Sequence, residues 1–205
     1  MDVTSEQDVK RAVSISVNAF GGIDILVANA GFASAALFEK TSSKLWDKNM
    51  DILSKGCFLI SREVYQKMID QKNGGSIIFV SSKNSLNASK GASAYSVAKS
   101  SLLHLSRSIA LEGSSHKIRS NVVNPDAVIQ NSKIWQGEWT KQRAISNKIS
   151  VNQVQEFYKN RSLLKVSILP EDIAEGIYFF ASSKSKKSTG NIINVDGGNI
   201  TSFTR

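Results

Sequence analysis

The stretch SSKNSLNASKGASAYSVAKSS, residues 81–101, places Ser82 thirteen positions before Tyr95 and Lys99 four beyond it. On a helix, Tyr95 and Lys99 lie one turn apart on the same face. An ammonium held near a phenol favours the phenolate and lowers a pKa that is ordinarily about 10. That makes the tyrosine a usable general acid or base. The preceding run SIIFV (76–80) reads as a buried strand, so Ser82 falls at the carboxyl edge of a sheet, where open α/β sheets bind ligands. A hydroxyl there can hold the substrate oxygen that Tyr95 protonates or deprotonates. The tyrosine–lysine spacing alone is common and strand ends are rich in serine, so the flanking pattern must decide.

Outward from this stretch, strand and helix signals alternate. Thr4-Ser5-Glu6-Gln7 has the form of a capping box with Thr4 at the N-cap. Val9, Ala12, Val13, Val17 and Phe20 share one helical face behind it, and Gly21 stops the helix. IDILVA (23–28) reads as a buried strand leading into Asn29-Ala30-Gly31. Leu53, Cys57, Ile60, Val64 and Met68 recur at helical steps, which predicts one long amphipathic helix over 45–71. A helix of about eighteen residues from Ala94 follows the opening stretch, and IRSNVV (118–123) is a third strand. Pro170 opens another helix, and NIINV (191–195) is a fourth strand. Apolar strands separated by helices predict a doubly wound parallel α/β sheet, Rossmann-like, covered on both faces.

Residues 131–165 break this rhythm. They are polar, lack a clean period and hold Trp135 and Trp139, which suits an insertion over a site. The two tryptophans can form one face of a substrate lid or simply pack. Trp46 reads as core.

Composition narrows the function. With 205 residues the chain has room for one sizeable domain. The net charge of +9 raises the question of a polyanionic partner, but its lysines and arginines are dispersed, with no basic stripe interleaved with aromatics. No nucleic-acid or membrane partner is expected; the longest apolar runs fall far short of a span. No charged segment followed by an apolar one opens the chain, and the single cysteine, Cys57, fits a reducing compartment, so the expected location is cytoplasmic. His104 and His116 have no ligand-spaced companions, and no metal is expected.

The ordered set of motifs resembles the short-chain dehydrogenase/reductase family. It comprises Asn29-Ala30-Gly31, Ser82, Tyr95 with Lys99, and I-R-x-N-x-V-x-P at 118–125. It continues with P-E-D-I-A at 170–174 and T-G-x-x-x-x-V-D-G-G at 189–198. NPDAVIQNSKIWQGEW, RSLLK and PEDIAEGIYFFAS are similar, more narrowly, to the dehydrogenase half of bifunctional rhamnulose-1-phosphate aldolase/lactaldehyde dehydrogenases.

The resemblance implies roles. Tyr95 is the proton donor or acceptor, Lys99 lowers its pKa and bonds the nicotinamide ribose, and Ser82 orients the carbonyl. Asn29 helps fix the central strands. Ala30, Gly31 and Pro125 line the cofactor cleft, while Asp2 and Val3 meet the adenine. The cofactor is NAD or NADP and the substrate a small alcohol or aldehyde, with lactaldehyde from rhamnose breakdown as the candidate. A homo-oligomer built through helices 45–71 and 94–112 is expected.

Three departures from the family pattern stand out. No T-G-x-x-x-G-x-G occurs, so the N-terminal strands and glycine-rich turn are expected to precede Met1, about sixty residues at about thirty per strand–helix unit. The chain then reads as one partial domain, residues 1–205, whose strand 23–28 offers an open edge. The alternative reading is a catalytically inactive fragment that only self-associates. At Leu53 many members carry an asparagine that kinks the long helix; leucine there reads as core. Pro125-Asp126 replaces the commoner Pro-Gly, and an acid there alters substrate choice or loop position.

Overall fold

Along β2 (Gly75–Val80) the side chains alternate between two apolar layers, Ile77 and Phe79 on one side and Ile78 and Val80 on the other. All but Val80 of these four are fully buried, as expected of a strand covered on both faces. The computed structural model describes residues 1–203. It contains a four-stranded, all-parallel sheet in the order β1 (Ile25–Ala28), β2, β3 (Ile118–Pro125), β4 (Ile192–Val195). This is the doubly wound α/β architecture that the alternation predicts.

One layer contains α1 (Glu6–Phe20), α3 (Gly56–Gln71) and α4 (Ser93–Gly113), which bring Val13, Met68 and Leu102 onto Ile77 and Phe79. The other contains α7 (Pro170–Ala181), whose Ile173 and Phe180 meet Ile78, Val80 and Val123. At the amino end of the strands, Arg119 donates to the Phe180 carbonyl (2.7 Å), the Ser188 carbonyl and the Ser185 hydroxyl. Ser76 Oγ donates to the Phe180 carbonyl as well, at 2.9 Å. No helix of the described residues is long and apolar enough to cross a membrane.

Several local expectations need correction. The cap of α1 is Ser5, which accepts from the Asp8 amide, while Thr4 bonds the Asp2 carboxylate through its amide and hydroxyl. Val9 and Val13 are buried, but Phe20 is 86% exposed, at a cleft beside β1. The strand 23–28 is not a buried one: Ile25 and Val27 are 48% and 39% exposed, since β1 is paired on one side only. Trp46 lies on the surface at 36%. The helical run 43–71 is not uniform. It comprises α2 (Ser43–Asn49), a π-helical stretch at Met50–Lys55, and then α3. Residues 131–165 carry two helices, α5 (Glu138–Asn147) and α6 (Val154–Arg161), which lack a periodic apolar stripe because little of each is buried.

Candidate active site

Every strand delivers chain to the same carboxyl edge, and a cleft of about 730 Å³ opens there. Asn29, Ala30 and Gly31 reach it from β1, Ser82 from β2, Pro125 and Asp126 from β3. Tyr95 and Lys99 enter it from the first turns of α4. The thirteen-residue gap between Ser82 and Tyr95 is a 3₁₀ turn (Lys83–Ser85) and a loop that returns the chain to start the helix. Ser81 Oγ donates to the Lys99 carbonyl at 2.9 Å and Ser100 Oγ to the Ser85 carbonyl at 2.9 Å, so α4 is fixed beside the end of β2.

Lys99 is 6% exposed, and its Nζ donates to the Val80 carbonyl at 2.8 Å. Burial depresses its pKa to about 8, with Cys57 acting in the opposite sense. Tyr95 is 8% exposed, and burial pushes its phenol above 10.0. The Ser82 hydroxyl lowers it, and the Asp126 carboxylate raises it. The expected lowering of the phenol pKa is therefore not what this site shows: desolvation outweighs every favourable neighbour, and the ammonium is engaged with a backbone carbonyl. At neutral pH the phenol carries its proton.

Gly31 permits a close approach in the cleft. A Cβ there would lie 3.3 Å from Leu53 Cδ2 and 3.9 Å from Lys99 Nζ. Leu53 itself is fully buried against Ala92, Tyr95 and Ala98, so it is core, as the apolar stripe predicts. A polar side chain of this helical run, Asn49, is fully buried just before the π-helical stretch. Its Nδ2 donates to the Leu45 carbonyl (2.7 Å) and Ser34 Oγ (2.8 Å), and Oδ1 has no partner among the described residues. Asp2 and Val3 are not among the cleft-lining residues; Val3 packs where a Cβ on Gly56 would stand, 2.9 Å away.

The segment 131–165 forms the outer wall. Tyr95 and Trp139 have ring centroids 5.4 Å apart, and Trp135 joins Trp139 at 6.2 Å and Tyr158 at 5.0 Å. Asp126, buried at 7%, forms an ion pair with Arg161 through both carboxylate oxygens and accepts from Asn199 Nδ2 at 3.0 Å. The acid after Pro125 thus ties the end of β3 to α6. Three cations at the cleft and its outer wall carried no site signal in the sequence: Lys83, Arg143 and Arg161. Lys83 is adjacent to Ser82, which was the only local hint. Arg143 and Arg161 lie in the aperiodic segment.

A family profile described as "Enoyl-(Acyl carrier protein) reductase" matches residues 1–199. An "Uncharacterized oxidoreductase YuxG" of Bacillus subtilis is 51% identical over the whole chain, which spans only 30% of that protein's length. Among solved structures, sorbitol-6-phosphate 2-dehydrogenase from Erwinia amylovora is 30% identical with a TM-score of 0.92, over 97% of this chain and 77% of that one. A Burkholderia cenocepacia gluconate 5-dehydrogenase, solved with NADP and tartrate, shares the fold at 22% identity and a TM-score of 0.86, over 98% and 74% of the two chains. By sequence over residues 1–199, and by fold, the chain belongs to the short-chain dehydrogenase/reductase family of NAD(P)-dependent oxidoreductases.

Proposed function

We propose that the site interconverts a small hydroxy compound and its carbonyl, with Tyr95 exchanging the proton on the substrate oxygen. The observation that carries this reading is the convergence of Ser82, Tyr95 and Lys99 on one cleft from separate parts of the chain. The Ser82 hydroxyl holds the substrate oxygen, and the protonated phenol donates to it in the reductive direction. Lys99, anchored on Val80, keeps a cationic group one helical turn from the phenol and stabilises negative charge as the proton leaves.

The residues fit the nicotinamide half of NAD or NADP: the glycine at position 31 leaves room beside Lys99 that a side chain would fill. When bound, the cofactor gives or takes the hydride. Asn29, Ala30, Gly31, Lys99 and Pro125 would hold it. The resemblance to aldolase/dehydrogenases names lactaldehyde from rhamnose breakdown as the first substrate to test. A cytoplasmic setting fits the single buried thiol of Cys57. Association through the outer faces of α3 and α4 fits the exposure of Phe58, Val97 and Leu111, and light scattering would test it.

A steady-state assay of NADH and NADPH against small aldehydes, ketones and alcohols tests the central claim. Turnover that depends on Tyr95 is expected. Absence of turnover with either cofactor across the panel would overturn it. The assembled triad argues against the inactive-fragment reading.

A further inference from the structure

The outer wall of the cleft carries an imbalance of buried charge. Arg143 is 3% exposed, yet its side chain donates a single hydrogen bond among the described residues, Nη2 to the Lys90 carbonyl at 2.8 Å. Its Nε is buried without a partner, and its guanidinium lies 4.6 Å over the Trp139 ring. Lys83 is 7% exposed and, among the described residues, donates only to Ser89 Oγ, at 2.8 Å. Neither residue forms a salt bridge among the described residues, whose cleft-side carboxylate, Asp126, is engaged by Arg161 and Asn199. Three cations thus face one carboxylate that is already saturated.

A buried cation is costly unless an anion and hydrogen-bond acceptors compensate it. A site that keeps two such cations unpaired beside its reactive phenol is built for a ligand that brings the missing charge. Depressed basicity agrees with this: Lys83 is held at about 8 by burial and by the Arg161 and Arg143 charges, against the pull of Asp126.

Resting on the dehydrogenase reading above, we propose that the preferred substrate is an anionic hydroxy or keto compound. Its carboxylate or phosphate is received by Arg143 and Lys83, while its reacting oxygen lies at Ser82 and Tyr95. The guanidinium supplies the planar, multi-donor surface that both groups accept. Uncharged sorbitol then becomes the comparison ligand. The Erwinia amylovora relative acts, by its name, on a phosphorylated polyol, in the same class of ligand.

The test is direct binding, which needs no turnover. Trp135 and Trp139 line the cleft, so their fluorescence reports occupancy. Sorbitol 6-phosphate, gluconate and uncharged sorbitol would be titrated into the purified protein and into Arg143→Gln and Lys83→Met. Saturable binding of at least one anion is expected, at least tenfold tighter than sorbitol and weakened at least tenfold in either variant. Whether the phosphate ester or the carboxylate binds tighter identifies the group. Equal affinity for charged and neutral ligands, or anion binding unmoved in Lys83→Met, would overturn the proposal. Anion binding without any NAD(P)H turnover would keep the proposal and sink the dehydrogenase reading instead.

Discussion

Lys99 donates its ammonium hydrogen bond to the carbonyl of Val80, the last residue of β2, across 2.8 Å. The helix carrying Tyr95 is thereby tied, through a charged side chain, to the strand end carrying Ser82. Lys99 and Lys83 both have pKa values depressed to about 8 from 10.5. From pH 8 toward 10.5 the unfolded chain therefore binds more protons at these two sites, and stability rises with pH. Below pH 8 both forms are protonated and the cost of burying the charges is fully felt. Cys57 and Tyr95, raised from 9.0 and 10.0, oppose the trend at higher pH. The urea midpoint should rise between about pH 7.5 and about pH 9, by on the order of 2 kcal/mol in stability. Lys83→Met should remove about half of the rise; a flat or falling midpoint in the unmodified protein would refute the assignment.

Tyr95→Phe should reduce turnover by at least about a hundredfold, the scale of a lost general acid. The ring keeps its contact with Trp139, so folding and cofactor affinity should change little. Steady-state kinetics beside NADH fluorescence titration separates the two effects. Retention of more than about a tenth of kcat would remove Tyr95 from its role.

Leu53→Asn places an amide in a pocket of Ala92, Tyr95 and Ala98. The new amide would be buried without a partner, so stability should fall by about 1–3 kcal/mol in urea melts. A neutral result would mean that a polar group or water can meet it there.

Asp126→Asn leaves Arg161 without its counter-charge. Because Arg161 is 24% exposed, the expected loss is on the order of 2 kcal/mol, less than for a fully buried pair. The damage should concentrate in the outer wall, so limited proteolysis should cut within 131–165 before the sheet is lost. Cleavage first elsewhere would contradict the tether.

Ile25 stands on the edge strand β1 and lines, with Phe20, an apolar cleft of about 520 Å³. Such an edge recruits other chains. Ile25→Lys should shift a self-associated protein toward monomer in light scattering; an unchanged mass would show that the edge is not the contact.

Strand and helix alternation was legible because each buried strand is apolar on both faces and each long helix keeps one stripe. Ser82, Tyr95 and Lys99 were legible because a single helix turn and one strand end fix their relation. Burial was less so: the residues of IDILVA by themselves read as buried, since exposure depends on a neighbour the run does not encode. The phenol pKa was misjudged for a related reason, because a charge partner can be read from spacing while desolvation cannot. Arg143 and Arg161 were invisible because their helices lie across the cleft mouth, where apolar periodicity has little to record.

The Arg119 and Ser76 hydrogen bonds to the Phe180 carbonyl fasten the sheet at the pole opposite the cleft. Ser76 and Arg119 lie at the amino ends of β2 and β3, while the cleft opens at the carboxyl ends of the same strands. Changes around Lys83, Arg143 and Trp139 can be sampled one after another without loosening that lower clasp. For laboratory evolution, the upper rim is the place to vary and the lower end the place to leave alone.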